Sequence, residues 1–307
     1  HTEAAKRIIE DGIHILIDLA GHTRGMRYDV FALRAAPVQA HWLGFSSTTG
    51  ASYIDYLITD KVQNPLDEKE HVTETLVHLP DTFMATSCPP IAQKKFSRAD
   101  CNLPEKGFIF ANFNSHYKFY PSMFAIWMRL LKQVPNSILW LEEGSNTAGE
   151  NLQKEAKHRG IDPSRLIFAK PLPNDQHISR IELADLCLDN QYHGGGVTTT
   201  DALWVGTPVL TLYGDGPAAR NGATLLTAID IPELITYSLK EYENKALHLA
   251  NNPESLNRLR QMLKSHRDTK PLFNTKKLTA NLEKSFELMW KNYTAGKTSE
   301  PIVVPSD

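Results

Sequence analysis

The sequence predicts an α/β protein with two domains, each built on a parallel β-sheet covered by helices. Short apolar segments alternate with helical segments along most of the 307 residues, which is typical of parallel sheets. The alternation breaks between Ser87 and Asp100, where Cys-Pro-Pro and Lys-Lys sequences indicate a linker. A chain of this length can form two hydrophobic cores of ordinary domain size.

The first domain is predicted from two helices and four short strands. Ala5, Ile8 and Ile9 have helical spacing and indicate an amphipathic first helix. The predicted helices cover residues 2–11 and 27–34, and the strands cover residues 14–19, 38–43, 56–59 and 75–79. Since a helix and not a strand–loop–helix unit opens this domain, we expect the first lobe to be incomplete.

The second domain is predicted from five strands that alternate with helices. The strands cover residues 108–113, 138–141, 166–169, 186–189 and 209–212, with helices near residues 121–133, 150–159, 176–183 and 199–205. Three further helices are predicted at residues 239–250, 253–265 and 276–292. The expected domains are therefore residues 1–90 and 91–275, followed by a C-terminal helix and tail at 276–307.

Composition narrows the class of protein. The chain is 41% hydrophobic and 22% charged, with a net charge of −2, so no general attraction for nucleic acid is expected. No apolar run approaches the roughly 20 residues that span a bilayer, and no membrane partner is predicted. The three cysteines are odd in number and lack C-x-x-C spacing. We therefore expect a reducing compartment, cytoplasmic or, in a eukaryote, nucleocytoplasmic.

A glycine triplet and a threonine triplet, residues 194–200, follow the strand predicted at 186–189. Glycines allow close approach of a ligand to the backbone, and a helix N-terminus offers free N–H groups. This junction favours a bound diphosphate. Thr198, Thr199 and Asp201 are expected to cap the helix, and they either contact the ligand or serve in capping alone.

Other candidate residues follow predicted strand ends, where open α/β sheets bind their ligands. Lys118 can neutralise a leaving diphosphate or be a solvated surface lysine. His22 can be a general base, a sugar contact or a structural histidine. His177 and Arg180 share one helix face, and they either hold a base or form an exposed first turn.

Several enzyme signatures are absent from the sequence, namely the phosphate-loop, H-E-x-x-H, G-x-S-x-G and D-x-D motifs. The sequence therefore predicts neither a metal nor a cofactor. It favours a mechanism in which Lys118 and helix N–H groups stabilise phosphate charge.

Collinear segments along almost the whole chain resemble the catalytic region of the protein O-GlcNAc transferase family, including its SPINDLY-type and bacterial relatives. The matching segments are DGIHIL (11–16), LRAAPVQ (33–39), WLG (42–44), DYLITD (55–60), NFN (112–114), YK (117–118), VPNS (134–137), ADLCLD (184–189), LWVGTP (203–208) and PLFNT (271–275). The resemblance implies a GT-B fold with two Rossmann-like lobes. It also implies metal-independent, inverting transfer of GlcNAc from UDP-GlcNAc to protein Ser and Thr hydroxyls. The C-terminal helix should pack back on the first lobe, and a tetratricopeptide region should precede this chain.

The resemblance also implies roles for individual residues. Lys118 matches the lysine that stabilises the departing diphosphate, with Tyr117 beside the sugar and phosphates. His177 matches a histidine that stacks on uracil, with Arg180 nearby, and the backbone of Leu172 lies where the base edge is read. Asp201 matches the aspartate that holds the ribose. The diphosphate positions are Gly196, Val197, Thr198 and Thr199, and the sugar- and acceptor-side positions are Thr23, Ser47, Ser115 and His193.

Four residues depart from the animal enzymes of the family. Ser115 replaces a glutamine, Asn174 a lysine and Gly196 a histidine that contacts phosphate, and His193 falls near a cysteine that borders the N-acetyl pocket. These departures leave two alternatives open, namely a GDP-fucose donor, as in SPINDLY-type relatives, and a nucleotide-binding module without catalysis. The retained His177 and Arg180 favour UDP-GlcNAc, and the fragment alone is expected to have weakened or no activity.

Overall fold

The computed structural model describes residues 1–86, 88–297 and 300–306. Ser87, the first residue of the predicted linker, lies outside the described residues. The chain divides into two compact units, of which one contains His1–Ala85 together with the residues from Asn274 onward, and the other contains Thr86–Phe273. The boundaries predicted from sequence fall after residues 90 and 275.

Eleven strands and ten α-helices are present in the described part of the chain. The strands are β1 (Ile15–Asp18), β2 (Val38–Trp42), β3 (Tyr56–Asp60), β4 (Thr75–Leu79), β5 (Ile109–Asn112), β6 (Ile138–Glu142), β7 (Leu166–Ala169), β8 (Leu186–Leu188), β9 (Val209–Leu212), β10 (Ile235–Thr236) and β11 (Ile302–Val303). The helices are α1 (Thr2–Glu10), α2 (Tyr28–Ala32), α3 (Pro121–Gln133), α4 (Asn146–His158), α5 (Asn174–Ile181), α6 (Val197–Val205), α7 (Asn221–Ala228), α8 (Leu239–Asn251), α9 (Pro253–His266) and α10 (Thr275–Thr294).

The first unit has a five-stranded parallel sheet in the order β1-β2-β3-β4-β11. All five residues of β3 are buried, because a central parallel strand is covered on both faces. One hydrophobic cluster joins the sheet residues Val38, Tyr56 and Val77 to Leu282 and Met289 of α10. The C-terminal helix therefore belongs to the core of the first unit.

The second unit has a six-stranded parallel sheet in the order β10-β9-β8-β5-β6-β7. Counted from its own first strand, the order is 6-5-4-1-2-3, which is the Rossmann arrangement. The order reverses between β5 and β8, which pair with each other at Phe110↔Leu186 and Ala111↔Cys187. A ligand in such a sheet binds outside the carboxyl ends of the two strands at this reversal.

The predicted strands and helices are present, and three further elements, α7, β10 and β11, were not predicted. Every residue of α7 except Thr227 is buried, so its sequence has no polar face and no amphipathic period. The strands β10 and β11 have two residues each, too few for a pattern. They form by pairing with β9 and β4, respectively.

Neither a membrane span nor a cluster of metal ligands is found among the described residues. No helix there is long and apolar enough to cross a bilayer. No group of three or more His, Cys, Asp and Glu side chains there is arranged to hold a metal ion.

Candidate functional site

The carboxyl ends of β5 and β8 are joined by a chain of buried amide side chains. The Nδ2 of Asn112, the last residue of β5, donates to Oδ1 of Asn190 at 2.9 Å. Oδ1 of Asn112 accepts from the backbone N–H of Asn114 at 2.9 Å and from its side chain at 3.1 Å. Buried amides need their partners, so this chain fixes both loops at the point where strand order reverses.

The same network reaches the N-terminus of α6. The Thr198 hydroxyl donates to Oδ1 of Asn114 at 2.9 Å, and the hydroxyl of Thr200 donates to the Val197 carbonyl at 2.8 Å. The N-cap residue is Gly196, and among the described residues no side chain caps the helix. The Thr199 N–H of the first turn bonds the Gly196 carbonyl at 3.1 Å, whereas the N–H groups of Val197 and Thr198 have no partner among the described residues and are left to a ligand or to water.

The prediction that Thr198, Thr199 and Asp201 cap the helix was wrong. The helix begins at Val197, so all three residues lie inside it, and a capping side chain must precede the first turn. Val197 is exposed whereas Thr199 is buried. The threonines thus line or support the helix opening without occupying its N–H groups.

Lys118 lies on a short 3₁₀ turn, His116–Lys118, that follows β5. Its side chain is half-buried and forms no ion pair among the described residues. Burial lowers its pKa, whereas the negative charges of Asp189 and Glu142 act in the opposite direction. Lys118 is therefore a partly desolvated cation whose side chain has no ion-pair or hydrogen-bond partner in the described part of the chain, and it is not a solvated surface lysine.

Tyr117, His193 and Ser115 lie around Lys118. Tyr117 is 76% exposed, and its ring centroid is 6.3 Å from that of His193, at an interplanar angle of 76°. Burial, with the positive charge of Lys118, lowers the pKa of His193. Ser115 is exposed, and its carbonyl accepts the Lys118 N–H at 3.0 Å. The β5 loop and the β8 loop thus meet at Lys118.

His177 and Arg180 share one face of α5, as the sequence predicts. Two guanidinium nitrogens of Arg180, Nη2 and Nε, lie 2.9 and 3.3 Å from Nδ1 of His177, and Nη1 donates to the Lys170 carbonyl at 2.7 Å. Since a guanidinium only donates, Nδ1 is the acceptor and the ring proton is on Nε2. Burial first, and Arg180 second, lower the pKa of His177 to about 4.

The His177 ring is therefore neutral at physiological pH and held at a fixed angle. It packs edge to face on Phe113 at a centroid distance of 5.2 Å. Arg180 itself is 5% exposed, so it is buried behind the histidine and is not an exposed first-turn residue. Leu172 is half-buried and lines a cavity of about 250 Å³ that Arg180 also lines.

Asp201 is a buried carboxylate without a hydrogen-bond partner among the described residues. Its exposed fraction is 9%, and burial, the only cause of the shift, raises its pKa to about 6. An unpaired buried carboxylate is costly and gains free energy from any donor that reaches it. Two vicinal hydroxyl groups are a suitable donor pair.

His22 lies in the loop after β1 in the first unit and is anchored by the loop after β2. Its Nε2 is 2.9 Å from the Thr49 carbonyl, so Nε2 carries the proton and Nδ1 is the basic nitrogen. The rings of Tyr28 and Phe45 contact it edge to face at centroid distances of 5.2 and 5.3 Å. Nδ1 has no hydrogen bond to any described residue.

Thr23 and Ser47 lie in the same two loops. The Thr23 hydroxyl donates to the Ala20 carbonyl at 2.8 Å, and Ser47 is half-buried. Asp18 holds the first loop by accepting the N–H groups of Ala20 at 3.1 Å and Gly21 at 2.8 Å. Thr23 therefore already has an internal partner, whereas no hydrogen bond joins the Ser47 hydroxyl to a described residue.

The sequence analysis assigned no individual role in this site to Asn112, Asn190 or Asp189. All three are polar residues at or just after strand ends, which is the signal that could have found them. Pairing between their side chains depends on the strand order, which the sequence pattern leaves undetermined.

Comparison with protein families and curated sequences identifies relatives along the chain. The profile described as Glycosyl transferase family 41 matches residues 1–94 and 90–282. An Arabidopsis thaliana protein named as a probable UDP-N-acetylglucosamine–peptide N-acetylglucosaminyltransferase SEC is 40% identical over 95% of this chain and 31% of its own length. A Caenorhabditis elegans UDP-N-acetylglucosamine–peptide N-acetylglucosaminyltransferase is 29% identical over 96% of the chain and 35% of its own length.

Solved structures show the same fold. The K341M mutant of Thermobaculum terrenum O-GlcNAc transferase aligns with a TM-score of 0.89 at 29% identity, covering 96% of this chain and 56% of that one. Sucrose-phosphate synthase from Thermosynechococcus elongatus aligns with a TM-score of 0.65 at 15% identity, over 94% of this chain and 79% of that one. The predicted α/β fold of GT-B type is confirmed. The chain spans about a third of the length of the curated relatives that it matches.

Proposed function

The chain belongs to glycosyl transferase family 41, and we propose that the protein transfers N-acetylglucosamine from UDP-N-acetylglucosamine to Ser and Thr hydroxyls of other proteins. The observation that carries the proposal is the unpaired, half-buried Lys118 at the strand-order reversal where the uncapped α6 begins. A cation and free N–H groups at such a point suit a diphosphate. The names of the relatives supply the sugar and the acceptor class.

The second unit offers one group for each part of the donor. His177, neutral and planar, is suited to stack on uracil, and Leu172, whose backbone is proposed to contact the base edge, lines the same cavity as Arg180, which orients that histidine. Asp201 accepts hydrogen bonds from the ribose hydroxyls. Lys118 and the N–H groups of the first turn of α6 bind the diphosphate.

Transfer proceeds by displacement at the anomeric carbon. The acceptor hydroxyl oxygen forms a bond to that carbon from the face opposite the diphosphate, and the bond from carbon to the phosphate oxygen breaks, so the configuration inverts. UDP leaves with an additional negative charge. Lys118 and the helix N–H groups stabilise that charge more in the transition state than in the ground state, which is the requirement for catalysis. This step is proposed to need neither a metal ion nor a cofactor.

The proton of the acceptor hydroxyl has three possible destinations: His22, a phosphate oxygen of the donor and a water relay. His22 is supported by its tautomer, because Nε2–H donates its hydrogen bond to the Thr49 carbonyl and Nδ1 is left unprotonated, as a general base requires.

A donor panel on the full-length protein tests the proposal. Radiolabelled UDP-N-acetylglucosamine, UDP-glucose and GDP-fucose are supplied separately with an acceptor protein, and label on Ser or Thr is located by mass spectrometry. We expect label from UDP-N-acetylglucosamine. Label from GDP-fucose alone would replace the donor assignment, and tight UDP binding without transfer or donor hydrolysis would indicate a non-catalytic module.

A further inference from the structure

Asp189 is a fully buried carboxylate at the end of β8 that the proposed chemistry does not use directly. It is 1% exposed. Its Oδ1 accepts the backbone N–H groups of Asn190 and Gly195, each at 2.8 Å. Its Oδ2 accepts the hydroxyl of Thr211, on the adjacent β9, at 2.8 Å. One side chain thus holds the strand end, the glycine segment before α6 and the neighbouring strand.

The carboxylate packs closely against two glycines, Gly194 and Gly222, where there is no room for a side chain. A Cβ atom on Gly194 would lie 2.9 Å from Oδ2, and one on Gly222 would lie 2.5 Å from it. The Tyr242 hydroxyl donates to the Asp189 carbonyl at 2.9 Å from the other side. A side chain at Gly194 or Gly222 would therefore collide with this carboxylate, which lies directly against the Gly194–Gly195 segment.

The bonding pattern favours the ionised form of Asp189. Two of its three partners, the backbone N–H groups of Asn190 and Gly195, can only donate, and the ionised carboxylate accepts from both of them and from the Thr211 hydroxyl at the same time. Burial opposes ionisation and raises the pKa of Asp189, and the charge of Lys118 acts against that rise. Lys118 follows β5, the strand that pairs with β8. The other titratable groups that act electrostatically with Lys118 are Glu142 and His193.

We propose that Asp189 is a positioning residue for the donor site. Its carboxylate fixes the Gly194–Gly195 segment so that the first turn of α6 opens toward the diphosphate. As a buried anion it also keeps the Lys118 side chain an ammonium ion despite partial desolvation. The identity of the bound diphosphate rests on the proposed function, whereas the coupling of Asp189 to Lys118 does not.

The test measures the protonation of Lys118 directly. In the full-length protein and its Asp189→Asn variant, Lys118 is acetylated competitively over a range of pH, and its modification is followed by mass spectrometry. Asparagine keeps the shape and removes the charge. Removing the nearby anion should increase the free-amine fraction at pH 8, and with it the labelling rate, on the order of tenfold. The midpoint of the labelling curve should move to lower pH.

A purely structural effect of Asp189→Asn would move the midpoint of the labelling curve in the opposite direction. If Asp189→Asn only loosened the loops, Lys118 would gain solvent and its labelling midpoint would move to higher pH, because burial is what lowers its pKa. The control is Thr211→Val, which removes one hydrogen bond to Asp189 and keeps the charge, and we expect its midpoint to stay near that of the wild type. An unchanged or raised midpoint in Asp189→Asn overturns the proposal.

The reciprocal measurement covers the case in which Asp189→Asn does not fold. In Lys118→Met, the carboxyl carbon resonance of Asp189 should titrate at higher pH than in the wild type, because linkage is mutual. An Asp189 resonance that titrates unchanged overturns the coupling.

Donor binding is measured separately. Asp189→Asn should weaken the binding of UDP-N-acetylglucosamine about tenfold or more, because the glycine loop is displaced and a smaller fraction of Lys118 is charged. If the labelling result holds but the wild type does not bind this donor, the proposed function fails and the coupling stands.

Discussion

The unpaired carboxylate of Asp201 predicts that donor binding weakens on acidification. Burial raises the pKa of Asp201 to about 6 in the free protein, and no hydrogen bond or charge of the described chain offsets that burial. The ribose hydroxyls donate to the ionised form, so binding favours ionisation and lowers the pKa again. Affinity therefore rises with pH up to the free-state pKa and is lost below it.

The magnitude follows from this titration alone. At pH 5 about nine-tenths of a group with a pKa of about 6 is protonated, whereas at pH 8 almost none is. If the ribose restores the ordinary value of 3.8, affinity at pH 5 is about tenfold weaker than at pH 8.

The assay is titration calorimetry with UDP-N-acetylglucosamine between pH 5 and pH 8. This donor is preferable to UDP because its diphosphate is esterified at both ends and does not titrate in this range. The matched control is Asp201→Asn, which should bind more weakly at pH 8 and lose the tenfold dependence. The control also separates the effect of Asp201 from that of His193, because protonation of His193 at low pH would strengthen the binding of an anion in both proteins. Equal pH dependence in the wild type and in Asp201→Asn would refute the ribose assignment.

Three further predictions concern the same site. Lys118→Met should lower the rate of transfer about 10²–10³-fold in a steady-state assay with an unchanged circular dichroism spectrum, and near-normal turnover would remove its role. Gly195→Ala should weaken the binding of UDP at least tenfold in a calorimetric titration, because a Cβ there would lie 2.6 Å from Thr199 Oγ1. The control variant Gly216→Ala, where a Cβ meets no atom within 4 Å, should bind UDP with the affinity of the wild type. Arg180→Met should release His177 from its single tautomer, which ¹⁵N NMR would detect as a change in the chemical shift of Nδ1. The same substitution should weaken the binding of UDP severalfold. A ¹⁵N spectrum of His177 identical to that of the wild type would contradict this prediction.

The positions of most strands could be predicted from the sequence because each parallel strand is a short apolar run, and such a run is recognisable without knowledge of its neighbours in the fold. Residues 138–141 and 166–169 are examples, since β6 and β7 occupy them almost without change. The shared face of His177 and Arg180 also followed from helical spacing alone. Lys118 could be singled out by its place after a strand, although not its burial.

Other features depended on contacts between distant residues. The start of α6 was misjudged because threonine and aspartate are common caps, and only the bond from Thr198 to Asn114, 84 positions away, shows that Thr198 has another partner. The strand β11 forms because Ile302 pairs with Val77 of β4. A two-residue strand is too short to show a periodic pattern, so the sequence did not predict it. The buried α7 lacks the polar face by which helices are recognised.

The sequence by itself determined two α/β units, the approximate place of the strands and the residue types at their ends, because these follow from periodicity and backbone chemistry along a local stretch of chain. Only the tertiary structure decided which strand ends are neighbours. The pairing of β5 with β8 brings Asn112 to Asn190 and Lys118 toward Asp189. The charge, tautomer and desolvation of the candidate site follow from that proximity, since electrostatic and hydrogen-bond energies depend on distance in space and not on separation along the chain.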